Sequence, residues 1–351
     1  MQIGWIQLGE FRSYHALEFS PSSRLNLLIG PNAQGKTNLL EAFGFLLTGR
    51  SFRTSRLAEV PRWGVDSASV SGEVRRLEGG RTLRRAIRRL ENGSAQATGD
   101  SCDWARVIPF GWQDLEIVNG APAARRNFID GCAGRLYPGH LAALVRYRQI
   151  VARRNHLLAM RQPQVDAQLE PWDEQLAATG AELIARRRKA AAMLQTELGR
   201  VFPALSGERH KVEIRYRTAL GEATDASDLL AALVRERRQE IRRGLTLVGP
   251  HRDDLAIELD GIDVRAYGSR GQQRLIALAL RLAEVLPVTE AAGTAPVLLL
   301  DDALSELDGR VRENALREIQ GAEQVFLTAP EALPDVGAAC WSVKGGEVTP
   351  A

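Results

Sequence analysis

The chain has 351 residues, 44% of them apolar and 25% charged, which is the balance of a soluble globular protein long enough for two domains and a large core. A net charge of +3, three scattered cysteines (Cys102, Cys132 and Cys340) and no apolar run near the roughly 18 residues of a membrane span argue against a disulfide scaffold, a zinc site and a membrane protein. The opening Met1-Gln2-Ile3-Gly4-Trp5 lacks the basic and apolar regions of an export signal, so a cytoplasmic location is expected.

Residues 1–20 read as two strands around the turn Phe11-Arg12-Ser13-Tyr14. The short apolar strand Arg24 to Ile29 then leads into Gly30-Pro31-Asn32-Ala33-Gln34-Gly35-Lys36-Thr37, followed by a helix from Asn38 to Leu47. This fits G-x-x-x-x-G-K-[ST] in the strand, loop, helix setting that a phosphate cradle requires. Gly30 and Gly35 let successive N–H groups face one anion at a helix N-terminus. Lys36 would reach the β and γ phosphates of ATP, and Thr37 would hold Mg²⁺ through its hydroxyl. The loop Thr48 to Arg56 carries three arginines and reads equally as a solvated connection. From Ala68 to Gly99 the pattern is a β-meander, with turns at Glu78-Gly79-Gly80 and Asn92-Gly93. Its second strand holds Arg81, Arg84, Arg85, Arg88 and Arg89 on both faces, a candidate surface for double-stranded DNA whose plain alternative is a solvated sheet face.

The middle of the chain reads as helical from Pro122 to Arg161 and from Trp172 to Val201, interrupted by Arg161-Gln162-Pro163 through Glu170-Pro171. Apolar stripes (Leu141, Leu144, Tyr147, Val151, Leu158; Trp172, Leu176, Leu183, Leu194, Leu198, Val201) predict an antiparallel helix pair, the second member about 45 Å long. Arg153, Arg154, Arg186, Arg187 and Arg188 are expected on its solvated face. After a strand near Val212 to Tyr216 and a helix from Ala226 to Arg243, the α/β pattern returns. Leu245–Val248 and Leu255–Leu259 read as strands around Gly249-Pro250-His251-Arg252-Asp253-Asp254, for which the sequence offers no chemistry of its own. The expected organisation is a head formed by residues 1–121 and 245–351, with a helical arm inserted over residues 122–244.

Val297-Leu298-Leu299-Leu300-Asp301-Asp302 is a buried parallel strand ending in two carboxylates. Placed beside the P-loop strand, it would bring Asp301 to Thr37 as a Mg²⁺ ligand and leave Asp302 to polarise the attacking water.

Ser269-Arg270-Gly271-Gln272 before a helix resembles the S-G-G-Q signature of ABC-type ATPases, and Ser305-Glu306-Leu307-Asp308 looks like their D-loop. With the P-loop residues, Asp301-Asp302 and Gly249 to Asp254, the chain resembles over essentially its whole length the RecF family of recombination mediators, relatives of SMC proteins. The resemblance implies an ABC-type P-loop head of α/β class. In such a head Ser269, Gly271 and Gln272 cap the ATP held by a second subunit, so that ATP drives homodimerisation. It also places Arg12 and the loop Arg50 to Arg53 near the nucleotide. Gln113 becomes a candidate for the Mg²⁺-sensing loop, although a buried polar turn explains it equally well. It further implies a slow, DNA-stimulated ATPase that clamps duplex DNA near single-strand gaps and works with RecO and RecR to load RecA. Asp302 stands where ABC ATPases usually have Glu, and Thr328 where they have a switch His, both consistent with slow turnover. The rival readings are a transporter ATPase subunit, an SMC-type tether and a protein holding ATP as a static ligand.

Overall fold

Alternation of buried and exposed side chains shapes the first hundred residues: in Ser67–Arg76, Ala68, Val70, Gly72 and Val74 face inward while the residues between them face solvent. The computed structural model describes residues 1–160, 165–222, 225–333 and 337–351. In chain order the first elements are β1 (Gln2–Phe11), β2 (Tyr14–Phe19), β3 (Leu25–Ile29), α1 (Lys36–Thr48), β4 (Ser67–Arg76), β5 (Gly79–Arg89), β6 (Ala95–Gly99) and β7 (Val107–Phe110). The helical stretch follows as α2 (Leu115–Asn119), α3 (Pro122–Leu136), α4 (His140–Met160) and α5 (Val165–Ser206), then β8 (Val212–Arg217) and α6 (Ala226–Arg243). The chain continues with β9 (Asp254–Leu259), β10 (Ile262–Asp263), α7 (Val264–Tyr267), α8 (Arg270–Leu282) and α9 (Val285–Ala292). It finishes with β11 (Val297–Leu300), α10 (Gly309–Gln320), β12 (Gln324–Ala329), β13 (Ala339–Lys344) and β14 (Glu347–Pro350).

Two compact units result: Met1–Leu115 with Arg200–Arg209 and Arg274–Ala351, and Glu116–Gly199 with His210–Gln273. This partition differs from a head resuming at residue 245. The segment from Leu245 to Gln273, signature included, belongs to the helical unit, and the end of α5 belongs to the first.

The first unit holds an antiparallel sheet ordered β2-β1-β4-β5-β6 and a second sheet ordered β14-β13-β3-β12-β11-β7. In the second, β13, β3, β12, β11 and β7 run parallel and β14 closes the edge antiparallel. Both sheets bury side chains against α1, whose residues 39–47 are all buried. The core includes a Phe43–Phe326 stack with centroids 4.0 Å apart.

In the second unit α4, α5 and α6 share a core of Leu144, Tyr147, Ile150, Leu176, Leu183, Leu229 and Leu233, so the predicted stripes do form a packing face. Several details differ from expectation. The first helical run is split, because Pro138 offers no N–H and Gly139 turns back at φ +80°. The expected break through Glu170-Pro171 does not occur: α5 begins at Val165 and passes through Pro171, where buried Leu169 packs on Leu158. Residues 161–164 of that expected break lie outside the described residues. Leu245–Val248 is not a strand, since side chains rather than a neighbouring strand satisfy its backbone. Thr246 N donates to Asn155 Oδ1 at 2.7 Å, and Leu247 N donates to Glu240 Oε1 at 2.7 Å.

The largest departure concerns the arm arginines. Arg154 and Arg187, read as solvated, are fully buried. Arg154 joins three elements by donating to Asp173 Oδ1 and Glu240 Oε2, each at 2.6 Å, and to Thr246 Oγ1 at 2.9 Å. Removing one partner of a buried pair leaves an uncompensated charge, at a cost of about 3–5 kcal/mol. Arg154→Met should therefore destabilise the protein by about that amount in urea unfolding; a loss below about 1 kcal/mol would mean that Arg237, which also pairs with Asp173, suffices.

Candidate active site

The loop between β3 and α1 curls because its glycines tolerate what other residues do not. Gly30 has φ +147°, and a Cβ there would lie 2.4 Å from the Val343 carbonyl oxygen of β13. Gly35 has φ +111°, and a Cβ there would lie 2.9 Å from the Tyr14 hydroxyl, which donates to the Gly35 carbonyl at 3.1 Å. Gln34 fastens the loop from the other side, accepting from Gly345 N in the β13–β14 turn at 2.9 Å. The loop is thus held open at the N-terminus of α1 by a hairpin that the sequence pattern does not reveal.

A cavity of about 480 Å³ opens over this loop, lined by Asn32, Lys36, Thr37, Arg53, Asp301 and Asp302 among others. Lys36 donates to the carbonyls of Gly30 and Pro31. Burial depresses its pKa, while the charges of Asp301 and Asp302 act the other way. Thr37 Oγ1 donates to Asp301 at 2.8 and 3.0 Å. The two residues meet although β11 does not lie beside the P-loop strand as expected: β12 runs between β3 and β11. Thr328 at the end of β12 bridges that gap, donating to Asp301 Oδ1 at 2.9 Å and accepting from Asp302 N at 2.8 Å. An imidazole at this position could not make the same short bridge, so Thr328 joins the two carboxylate residues rather than leaving a gap in the site.

Asp302 sits in the left-handed region at φ 52°, which turns its carboxylate sharply off the strand. Ser305 Oγ donates to Asp302 Oδ2 at 2.9 Å. Arg274 of α8, 91% buried, donates to the Asp302 carbonyl and to Ser305 Oγ. Asp308 closes the D-loop by accepting from Val311 N at 2.9 Å as the cap of α10. Sequence reasoning missed Arg274 as a site residue, though it follows Gly271 by one turn on the same helix. Further along α8, Arg281 donates to Asp114 Oδ1 at 2.6 Å. Asp114 in turn accepts from Gly111 N at 2.7 Å and sets the Trp112 turn, with Trp112 lining the cavity.

Thr37 and Asp301 offer a hydroxyl and a carboxylate, the hard oxygen donors that Mg²⁺ takes while keeping waters and substrate phosphates as its other ligands. The residues present fit that ion.

Five expected site residues, Arg12, Gln113, Ser269, Gly271 and Gln272, do not line this cavity. Arg12 does not line the cavity; it closes bidentate on buried Glu41 at 2.7 and 2.8 Å and donates to the Glu59 carbonyl at 2.7 Å. Its partner Glu41 also takes Arg53 at 3.2 Å, and Arg53 does reach the cavity. Gln113 donates to the Arg53 carbonyl at 3.4 Å and is not among the lining residues. In the second unit, Ser269 and Gln272 form a reciprocal cap: Ser269 N donates to Gln272 Oε1 at 2.9 Å and Gln272 N to Ser269 Oγ at 3.2 Å. That cap leaves Ser269, Gly271 and Gln272 exposed at the start of α8.

The DNA replication and repair protein RecF of Chloroflexus aggregans is 37% identical over 373 residues, covering 96% of this chain and 95% of that protein. The RecF of Bacillus subtilis is 36% identical over 344 residues, covering 93% of each. The chain belongs to the RecF family. Its first part, residues 6–104, also matches a family profile described as an AAA domain. Among solved structures, a recombination mediator protein RecF with ATP, of the RecFOR pathway, superposes with a TM-score of 0.89 at 29% identity, covering 100% of this chain and 97% of that one. An SMC head bound to the C-winged helix domain of ScpA gives 0.57 at 15% identity, covering 100% and 97%. The fold is thus the ABC/SMC-like ATPase head of the RecF family, as the motifs implied.

Of the five arginines expected to face DNA, two are held by the chain's own backbone. The pleat places Leu83, Arg85, Ile87 and Arg89 on one face of β5 and Arg84 and Arg88 on the other. Arg85 donates to the carbonyls of Leu46 and Leu47 at 2.7 and 3.3 Å, at the negative end of α1. Arg89 donates to the carbonyls of Ala58, Val65 and Pro61 at 2.7, 2.8 and 3.1 Å. Arg81, Arg84 and Arg88 remain exposed.

Proposed function

We propose that the chain is an ATP-dependent DNA-binding protein of the RecF type, a slow ATPase whose ATP-bound homodimer closes on double-stranded DNA and reopens on hydrolysis. The observation that carries this reading is the Thr37–Asp301–Thr328–Asp302 chain of hydrogen bonds over the P-loop. It supports Asp301 as the metal-holding carboxylate and the adjacent Asp302, whose backbone N–H it fixes, as the carboxylate that polarises water. Lys36 and the loop amides would hold the β and γ phosphates, Asp302 would take the proton of the attacking water, and Ser305 and Arg274 would hold Asp302 in position. Mg²⁺, held by Thr37 and Asp301, would neutralise charge developing on the phosphate oxygens. The exposed start of α8 at Ser269 and Gly271 would meet the nucleotide of a second copy, making each site shared between two chains.

The solved relative's place in the RecFOR pathway supports RecO and RecR as partners, and RecA loading in recombinational repair is the outcome we propose for that partnership. Sedimentation without nucleotide, with ADP or with ATP, each with and without duplex DNA, tests the reading. ATP alone should produce the dimer, and a monomer under all conditions would refute the clamp. For the DNA face, Arg84 and Arg88, which share the outer face of β5, replaced by Ala should weaken duplex binding and flatten its salt dependence by about 0.9 in log-log slope for each phosphate no longer neutralised. ATP affinity should not change. An unaltered slope would move the duplex off this sheet.

A further inference from the structure

The turn Gly249 to Asp254, which the nucleotide site does not use, closes one wall of a cavity of about 210 Å³ inside the second unit. The turn itself is fastened from all sides. Gly249 has φ +126° with the Tyr147 hydroxyl 2.4 Å from where a Cβ would sit. Arg187 donates to the Pro250 carbonyl at 2.6 Å, and Tyr216 donates to Asp253 Oδ2 at 2.5 Å. His251 Nε2 faces the Thr246 carbonyl at 3.1 Å and must carry the proton, so Nδ1 accepts from the Tyr147 hydroxyl at 2.8 Å. Burial holds the pKa of His251 down at about 4, making it an uncharged wall at neutral pH.

The charges around the cavity do not cancel. Arg187 at its base is neutralised by Asp130, bidentate at 2.7 Å, and Asp130 also pairs with His140 Nε2 at 3.0 Å. Two further lining arginines have no such partner. Arg126 of α3 makes one hydrogen bond, Nη1 to the Asp253 carbonyl at 2.9 Å, and Arg148 of α4 is exposed; among the described residues neither has an ion pair. Burial first, then the like charge of Arg187, depress the pKa of Arg126 against the pull of Asp254, Asp253 and Asp130. Arginines from two helices, Arg126 and Arg148, therefore line one small volume in addition to the neutralised Arg187.

We propose that this cavity binds a phosphate group, with Arg126 and Arg148 as its charged contacts and Asn127, the next residue of α3 and also in the cavity wall, as a neutral donor. Forked donors arriving from two directions suit a tetrahedral oxyanion, which can accept from both at once, better than a planar carboxylate, which one fork already satisfies. The group is either a free phosphate or one carried by the DNA backbone, and two titrations separate these sources. In the first, inorganic phosphate is titrated calorimetrically into Lys36→Met, which weakens the competing P-loop, with and without Arg126→Gln or Arg148→Gln. In the second, duplex DNA with ATP is titrated across salt concentrations into chains that keep Lys36. A free anion predicts that each substitution weakens phosphate binding by about tenfold or more, the effect of one charge-assisted hydrogen bond, while duplex binding is unchanged. A backbone phosphate predicts that duplex affinity falls by a similar factor and the salt slope flattens by about 0.9. If neither titration responds to either substitution, the site does not exist. Arg148 is exposed, so its variant keeps the fold and leaves that outcome interpretable. The phosphate arm needs neither ATP nor a dimer, so its result stands whether or not the clamp reading survives.

Discussion

Lys36→Met is expected to weaken ATP binding by more than about a hundredfold, because it deletes two charge-assisted hydrogen bonds worth about 1.5–3 kcal/mol each to the β and γ phosphates. Methionine retains the aliphatic stem, and the Gly30 and Pro31 carbonyls that Lys36 contacts belong to a loop already held by Tyr14 and Gly345. The fold should therefore survive, and circular dichroism and unfolding should match the parent. Equilibrium dialysis with ATP measures the loss; parental affinity would show that the glycine loop is only a strand-to-helix connection. If each site is shared, dimerisation should fail along with binding. Ser269→Arg offers the complementary defect: ATP should bind each chain, yet neither dimer nor hydrolysis should appear. Mixed with Lys36→Met it can rebuild at most one composite site. A normal ATP-driven dimer of Ser269→Arg alone would count against sharing.

What could be read from the sequence, and what could not, divides along the range of the interaction. The P-loop is local: glycines, lysine and threonine act within eight residues, and the backbone that they dictate is the one observed. Asp301 was readable because an apolar run ending in carboxylates has few other uses beside a P-loop. The strand between them was not, since nothing in Gln324–Ala329 marks it as the neighbour of β3, and so the bridging role of Thr328 was invisible. Arginine defeated sequence reading most often, for a physical reason. Its long stem and five donors let it serve as a surface charge, a helix-end cap or the centre of a buried cluster, and the partners lie far away in sequence. Arg85 caps carbonyls 38 and 39 residues earlier, and Arg187 reaches Asp130, 57 residues away. The alternation of β5 did contain part of the answer: Leu83 and Ile87 on the inner face already placed Arg85 and Arg89 with them.

Asp302→Asn should separate hydrolysis from binding. Asparagine tolerates the left-handed φ of 52° about as well as aspartate, so the sharp turn after β11 is kept. The backbone N–H still donates to Thr328, the carbonyl still accepts from Arg274, and Ser305 can still donate to the side-chain oxygen. Asp301 and Thr37 are untouched, so metal and nucleotide binding should persist. What disappears is the negative charge, and with it the capacity to take a proton from water. Loss of a positioned general base typically costs about 10²–10⁴ in rate, or about 2.7–5.5 kcal/mol in the barrier. The expected result is single-turnover hydrolysis slowed by at least about a hundredfold, with an ATP-bound dimer that stays on duplex DNA long after the parent has left it. Hydrolysis within about threefold of the parent, well under one factor of ten in barrier terms, would assign the base elsewhere. The exposed position of Asp302, fixed by Thr328 below and Ser305 beside it, would then serve only to shape the turn.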